Sequence, residues 1–150
     1  MIDSETFTVA VFPDAAWARR GVGALLADGF APSTLTILGK ESPEVQSLCE
    51  DTLEGTPQRL ELRALGAALA RGPLVAVLQG DDNALLTAGM RGAMTRAGFQ
   101  RHDGYIFETL TGRGGVLVAV RDERRAADAL AKLFSYGGGN AAIGAWTGRV

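Results

Sequence analysis

The sequence predicts an α+β fold built from two similar strand–helix–strand halves. The first observation is an internal repeat, because the apolar run Val-Ala-Val at residues 9–11 recurs at residues 118–120. The second is that a helical pattern follows each run, at about residues 15–26 and 124–134. Two βαβ units in tandem are the arrangement of a ferredoxin-like sandwich, so we predict a ferredoxin-like core.

The chain is expected to form a single domain. It has 150 residues, of which 47% are hydrophobic, and this is enough to build one core. We place the first βαβ half at residues 7–39 and the second at residues 114–148. The intervening segment, about residues 40–113, is predicted to be a largely helical insertion between the halves.

The first half is predicted to contain a strand at residues 7–12, a helix that ends near residue 27, and a second strand at residues 34–39. Gly29 is suited to the C-cap of the helix, where a positive φ is common. The apolar face of the helix is expected to be formed by Trp17, Val22, Leu25 and Leu26.

The first part of the insertion is polar, and we interpret residues 40–58 as a solvated linker. A short helix at residues 44–53 is the alternative, because a thin apolar stripe recurs there at helical spacing. From residue 60 to residue 78 the pattern is apolar and helical, with Leu62, Leu65 and Leu69 at helical spacing. Residues 74–78 have the composition of a strand, and the sequence leaves strand and helix open for them.

The second part of the insertion is predicted to be helical. An N-cap cluster, Asp-Asp-Asn at residues 81–83, precedes a helical pattern at residues 84–97. Gly89 and Gly92 lie inside this pattern, where a glycine costs about 1 kcal/mol relative to alanine. We therefore expect another backbone to pack closely against them. Residues 102–111 are predicted to add one or two helical turns.

The second half is predicted to begin with a strand at residues 116–120. The helix that follows has an apolar face expected to be formed by Ala126, Leu130, Leu133 and Phe134. The glycines at residues 137–139 suit a helix C-cap, and a last strand is expected at about residues 141–146.

Both faces of the predicted sheet are apolar. Residues 7–12 and 116–120 are apolar at almost every position, which is typical of a sheet covered on both sides. The two βαβ helices cover only one of these faces. We therefore expect the inserted helices, or a second subunit, to cover the other.

The composition argues against several classes of partner. A net charge of −2 and a pI near 5.4 give no reason to expect binding to nucleic acid or to an anionic membrane. A single cysteine, Cys49, excludes an internal disulfide and a Cys-rich metal site. We find no apolar run long enough to cross a bilayer and no signal-peptide pattern. The expected location is the cytoplasm of a bacterium.

No group of residues points to recognisable chemistry, and we predict no catalytic residue, no cofactor and no metal site. His102 lies beside Asp103 and close to Tyr105, but no nucleophile is nearby for it to activate. Gly21 and Gly23 resemble part of a dinucleotide fingerprint, yet they fall inside the predicted helix and not at its start.

Several segments together carry a resemblance to a known family. They are the strand at residues 9–12 with its helix ending at Gly29 and Phe30, residues 70–74, the helix around Gly89 and Gly92, and Phe107 and Glu108 followed by residues 114–120. In these segments the chain resembles the bacterial general-stress-protein domain, also called the heat-induced stress protein domain. Members of that family usually carry a tyrosine at the position of Phe107. The resemblance implies a stress-associated domain and brings no catalytic residues.

Three functional hypotheses follow. The leading one is a non-enzymatic, stress-associated protein that acts by self-association, as a homodimer, or by binding a partner. The alternative is a small-molecule-binding domain with a pocket between the sheet and the inserted helix that carries Met90 and Met94. The third is an enzyme that uses His102 with Arg113 or Tyr105. These five residues are the candidate ligand or interface positions.

Overall fold

The computed structural model describes residues 6–121, 123–137 and 146–149. Within these residues the chain is an α+β fold, as predicted, with six α-helices and one six-stranded sheet. The strands are β1 (Thr6–Phe12), β2 (Leu35–Lys40), β3 (Gln58–Leu62), β4 (Gly66–Arg71), β5 (Val116–Val120) and β6 (Trp146–Arg149). The helices are α1 (Ala15–Ala27), α2 (Pro43–Leu53), α3 (Pro73–Gln79), α4 (Ala84–Arg96), α5 (Arg101–Gly112) and α6 (Ala126–Ser135).

The strands lie in the order β3-β4-β2-β5-β1-β6, and all neighbours are antiparallel. Strand β5 lies between β1 and β2, so that Val118 is opposite Ala10 on one side and Ile37 on the other. The two copies of the Val-Ala-Val repeat therefore pair directly with each other near the centre of the sheet.

Helices cover both faces of the sheet, which confirms the prediction of two-sided burial. On the first face, α1, α2 and α6 pack against side chains that include Phe12 and Val118. On the second face, helices α3, α4 and α5 pack against side chains that include Val9 and Leu117. The second face is therefore buried within one chain, without a second subunit.

The structure corrects the helix predicted at residues 60–69, because β3 and β4 form a hairpin there. Leu60 and Leu62 are buried, whereas Arg59 and Glu61 are exposed. This alternation with a period of two residues is that of a strand with one covered face. The leucine spacing imitates a helix because the turn between the strands also contributes a buried leucine.

Three other segments between residues 40 and 113 are helical. Residues 43–53 form α2, so that the alternative to a linker is the conformation found. Residues 74–78 belong to α3, where Pro73 takes the first helical position, which its fixed φ favours. Helix α5 has 12 residues and is longer than the one or two turns predicted.

Helix α4 is kinked at Gly89, whose φ of 78° and ψ of 176° are not helical. A Cβ added at Gly89 would lie 3.3 Å from the Cβ of Arg63, in the turn between β3 and β4. The expected close approach of another segment is therefore found at this glycine. It is not found at Gly92, where an added Cβ would meet Ala88 of the same helix.

The predicted apolar faces of the first and last helices are partly wrong. The buried residues of α1 and α6 are Ala18, Gly21, Val22, Leu25, Ala129 and Leu133. Trp17, Leu130 and Phe134 are instead 41%, 38% and 54% exposed, and we call these three residues the apolar patch. A small residue makes the close contact between α1 and β1. Gly21 lies directly against the ring of Phe12, where there is no room for a larger side chain.

The helix ends agree with the predicted C-caps where they are described. Gly29 and Gly137 have φ of 94° and 92°, which favours glycine. Residues 138–145 lie outside the described residues, and with them the other two glycines and most of the predicted last strand. The described strand β6 pairs with β1, with Trp146 opposite Val9.

Candidate ligand-binding site

The last residue of β4, Arg71, is a half-buried cation beside a cavity. Its Nη1 donates a hydrogen bond to the carbonyl oxygen of Thr56, at 3.2 Å. Gly55 lies directly against the guanidinium group. Among the residues that the structure describes, no carboxylate lies within ion-pair distance of Arg71. Part of its hydrogen-bonding capacity therefore remains unused.

The chain is held firmly where it leaves Arg71. Gly72 has a φ of 128°, and a Cβ at this position would collide with the carbonyl oxygen of Leu35. Two residues later, the backbone N–H of Leu74 donates a hydrogen bond of 2.9 Å to Oγ1 of the buried Thr36. The link between β4 and α3 is thus fixed against the start of β2, and Arg71 is fixed with it.

Two cavities meet at Arg71 and Gly72, and we call them together the Arg71 groove. The larger has a volume of about 560 Å³ and is also lined by Pro32, Ser33, Leu35, Leu53, Glu54 and Pro73. The smaller has a volume of about 280 Å³ and is also lined by Thr56, Gln58, Ala70, Val75, Ala76 and Gln79. The Oε1 atom of Gln79 is buried and has no hydrogen-bond partner. The groove therefore contains the positive charge of Arg71 and a buried amide oxygen that has no hydrogen-bond partner.

The cysteine near the groove is not suited to nucleophilic chemistry. Burial raises the pKa of the Cys49 thiol to about 11, although the positive charge of Arg71 lowers it and the charge of Glu50 raises it further. At neutral pH the side chain is a protonated thiol in the core of the first face. Cys49 is therefore a packing residue and not an activated nucleophile.

The five candidate residues from the sequence do not come together. His102 and Tyr105 lie near the start of α5 with exposed side chains, and the guanidinium of Arg91 lies 5.5 Å from the centre of the Tyr105 ring. Arg113 directly follows the other end of α5, roughly 16 Å from His102 along the helix axis. It lines a cavity of about 170 Å³ next to β1.

Met90 and Met94 have no exposed surface and belong to the core of the second face. They fill the space between the sheet and α4, where the sequence suggested a pocket. Their side chains act as packing residues, a common use of methionine.

Sequence reasoning did not identify Arg71 as a candidate residue. The available signal was its position directly before Gly72 and Pro73, at the end of an apolar run. A charged residue between a strand and a helix start lies at an edge of the sheet, where ligand sites are common. What the sequence does not reveal is that Ser33 and Glu54 line the same cavity.

Comparison of the chain with protein-family models, curated proteins and solved structures gave no significant match. In the described part of the chain, no helix is both long enough and apolar enough to span a bilayer. The same residues contain no group of three or more histidine, cysteine, aspartate or glutamate side chains placed to hold a metal ion.

Proposed function

We propose that this protein binds a small anionic molecule in the Arg71 groove. The observation that carries the proposal is a half-buried guanidinium group, without a carboxylate partner among the described residues, that lines a cavity of about 560 Å³. A partly desolvated charge is unfavourable unless it is paired. Arginine pairs well with carboxylate and phosphate groups, because its planar fork can donate two parallel hydrogen bonds.

The size of the groove supports a metabolite-sized ligand. Sites for small molecules commonly have volumes of about 300–1,000 Å³ and combine apolar walls with a few polar groups. The larger cavity fits this description, since Leu35, Leu53 and Pro73 provide apolar walls. It lies where β2 begins and β4 ends, and not beside the helix with Met90 and Met94, where the sequence suggested a pocket. The residues that line it are different.

Thermal unfolding tests this function with phosphate, sulfate, acetate and citrate at constant ionic strength. We expect at least one anion to raise the unfolding temperature of the wild type in a saturable way. Arg71→Gln should weaken that binding by roughly tenfold or more, because a hydrogen bond to a charged group contributes about 1.5–3 kcal/mol. The control is Arg101→Gln, which removes the same charge from an exposed position on α5. Equal effects in both variants would contradict the proposal.

We infer that β6, β1, β5 and β2, with α1 and α6, form a ferredoxin-like unit, and that about residues 41–115 are an insertion in it. The strand order supports this inference, because β5 and β1 lie side by side in the middle and β2 and β6 flank them. The insertion then adds β3 and β4 at the β2 edge and supplies α3, α4 and α5. Deleting it should expose the second face of the sheet and make the remaining chain aggregate.

A second function, self-association with another copy of this chain, is favoured by the apolar patch. Trp17, Leu130 and Phe134 are large and exposed on helices that pack against each other. We propose this patch as the contact surface of a homodimer, and Phe134→Lys should then lower the sedimentation coefficient at a concentration where the wild type associates. A wild type that remains monomeric at a concentration on the order of 100 micromolar would exclude this homodimer.

A stress-associated role in the bacterial cytoplasm stays a prediction from the family resemblance.

A further inference from the structure

Two opposite charges line the larger cavity of the Arg71 groove without pairing with each other. Arg71 lies at the end of β4, and Glu54 follows the last residue of α2. No ion pair joins them, although both line the same cavity.

The two groups differ in how they are held. The guanidinium of Arg71 is held by its hydrogen bond to the carbonyl oxygen of Thr56 and by its contact with Gly55. Glu54 has a φ of 57° and a ψ of 41°, the left-handed conformation that ends α2, and its side chain is exposed. The cavity therefore has one positive and one negative wall group that do not pair with each other.

From this arrangement we propose that the ligand is a zwitterion, an amino acid or a closely related amino carboxylate. Its carboxylate pairs with Arg71, and its ammonium group pairs with Glu54. A ligand of this kind neutralises both charges at once, whereas a simple anion leaves the Glu54 carboxylate facing a ligand of the same sign. This inference rests on the proposed binding of an anionic group at Arg71.

Isothermal titration calorimetry at pH 7 tests the inference with the twenty standard amino acids, their N-acetyl derivatives, acetate and inorganic phosphate. N-acetylation removes the ammonium group and keeps the carboxylate. We expect at least one free amino acid to bind roughly tenfold or more tightly than its N-acetyl derivative, the size of a single well-placed charge pair. An N-acetyl derivative, acetate or phosphate that binds as tightly as every free amino acid would overturn the inference.

Two variants distinguish a wrong ligand class from a wrong site. Glu54→Gln should abolish the preference for free amino acids over N-acetyl derivatives, while the binding of N-acetyl derivatives persists or improves. Glu50→Gln is the matched control, because Glu50 is exposed on α2 and does not line the cavity. Arg71→Gln should weaken both ligand classes. If no compound binds to the wild type, the function proposed for the groove is wrong as well as the ligand class.

Discussion

The guanidinium of Arg125 binds Asp28, which lies 97 positions earlier in the chain. Its Nη2 lies 2.7 Å from the Asp28 carboxylate, and its Nη1 donates a hydrogen bond of 2.9 Å to the Asp28 carbonyl oxygen. The same guanidinium lies 4.1 Å from the centre of the Phe30 ring. One side chain near the start of α6 thus binds the end of α1.

Arg125→Ala should lower the free energy of unfolding by about 1–2 kcal/mol, because it removes a charge-assisted pair and a cation–π contact. Urea denaturation of the variant provides the measurement. Arg124→Ala is the control, since the neighbouring arginine is exposed. If both variants have the same stability, the contact with Asp28 contributes nothing.

Two of the buried threonines, Thr36 and Thr111, differ in hydrogen bonding. Their replacement by valine should therefore change the stability of the protein differently. Thr36 Oγ1 accepts a hydrogen bond from the N–H of Leu74, whereas the buried Thr111 Oγ1 has no partner. Thr36→Val should cost about 1–3 kcal/mol, because it leaves a buried donor unpaired. Thr111→Val should leave stability unchanged or raise it by up to about 1 kcal/mol. Chemical denaturation of both variants checks the difference, and a greater loss in Thr111→Val would contradict it.

Two glycine-to-alanine replacements should change the stability of the protein in opposite directions. At Gly89, the φ of 78° strains any residue with a Cβ, so Gly89→Ala should cost about 1–3 kcal/mol. At Gly23, an added Cβ meets no atom within 4 Å inside the regular helix α1. Gly23→Ala should therefore stabilise the protein by about 0.5–1 kcal/mol. Thermal melts of the two variants test this, and a stabilised Gly89→Ala would show that α4 is not kinked there.

The buried thiol of Cys49 should make stability fall in alkaline solution. Its pKa is raised from 9.0 to about 11, chiefly by burial. Below pH 9 the thiol is protonated in both the folded and the unfolded protein, and its contribution is fully present. Between pH 9 and pH 11 the unfolded chain loses this proton first, so the unfolded state is increasingly favoured. The maximum effect is on the order of 2–3 kcal/mol.

Cys49→Ala isolates this effect from the titration of other groups. Unfolding free energies of the wild type and the variant should run parallel with pH below about pH 8 and converge or cross above pH 9. Parallel curves across the whole range would mean that Cys49 is solvated and not buried. The wild-type thiol should also react with iodoacetamide at neutral pH only as fast as the protein unfolds.

The sequence predicted the structure correctly where the residue pattern of a segment also reflects how that segment packs. The Val-Ala-Val repeat predicted two related central strands, and those strands pair with each other. The unbroken apolar character of residues 116–120 predicted a sheet covered on both faces. Periodicity was ambiguous at residues 60–69, because leucines in a hairpin and in its turn can have helical spacing.

The site was less predictable than the fold. Ser33, Glu54 and Arg71 come from three separate segments, and only the packing of α2 and α3 on either side of β2 places them around one cavity. None of these residues stands in a local motif. Of the candidates chosen from local pattern, His102 and Tyr105 are exposed on α5, and Met90 and Met94 are buried in the core.

Chemical-shift mapping during a titration with inorganic phosphate tests the central claim, that Arg71 forms an anion site, most directly. In ¹⁵N-labelled protein we predict saturable changes concentrated at Ser33, Glu54 and Gly72, and their loss in Arg71→Gln. The amides around the exposed Arg101 should not follow the same saturation curve. Changes spread evenly over exposed arginines, or changes that persist in Arg71→Gln, would contradict the account.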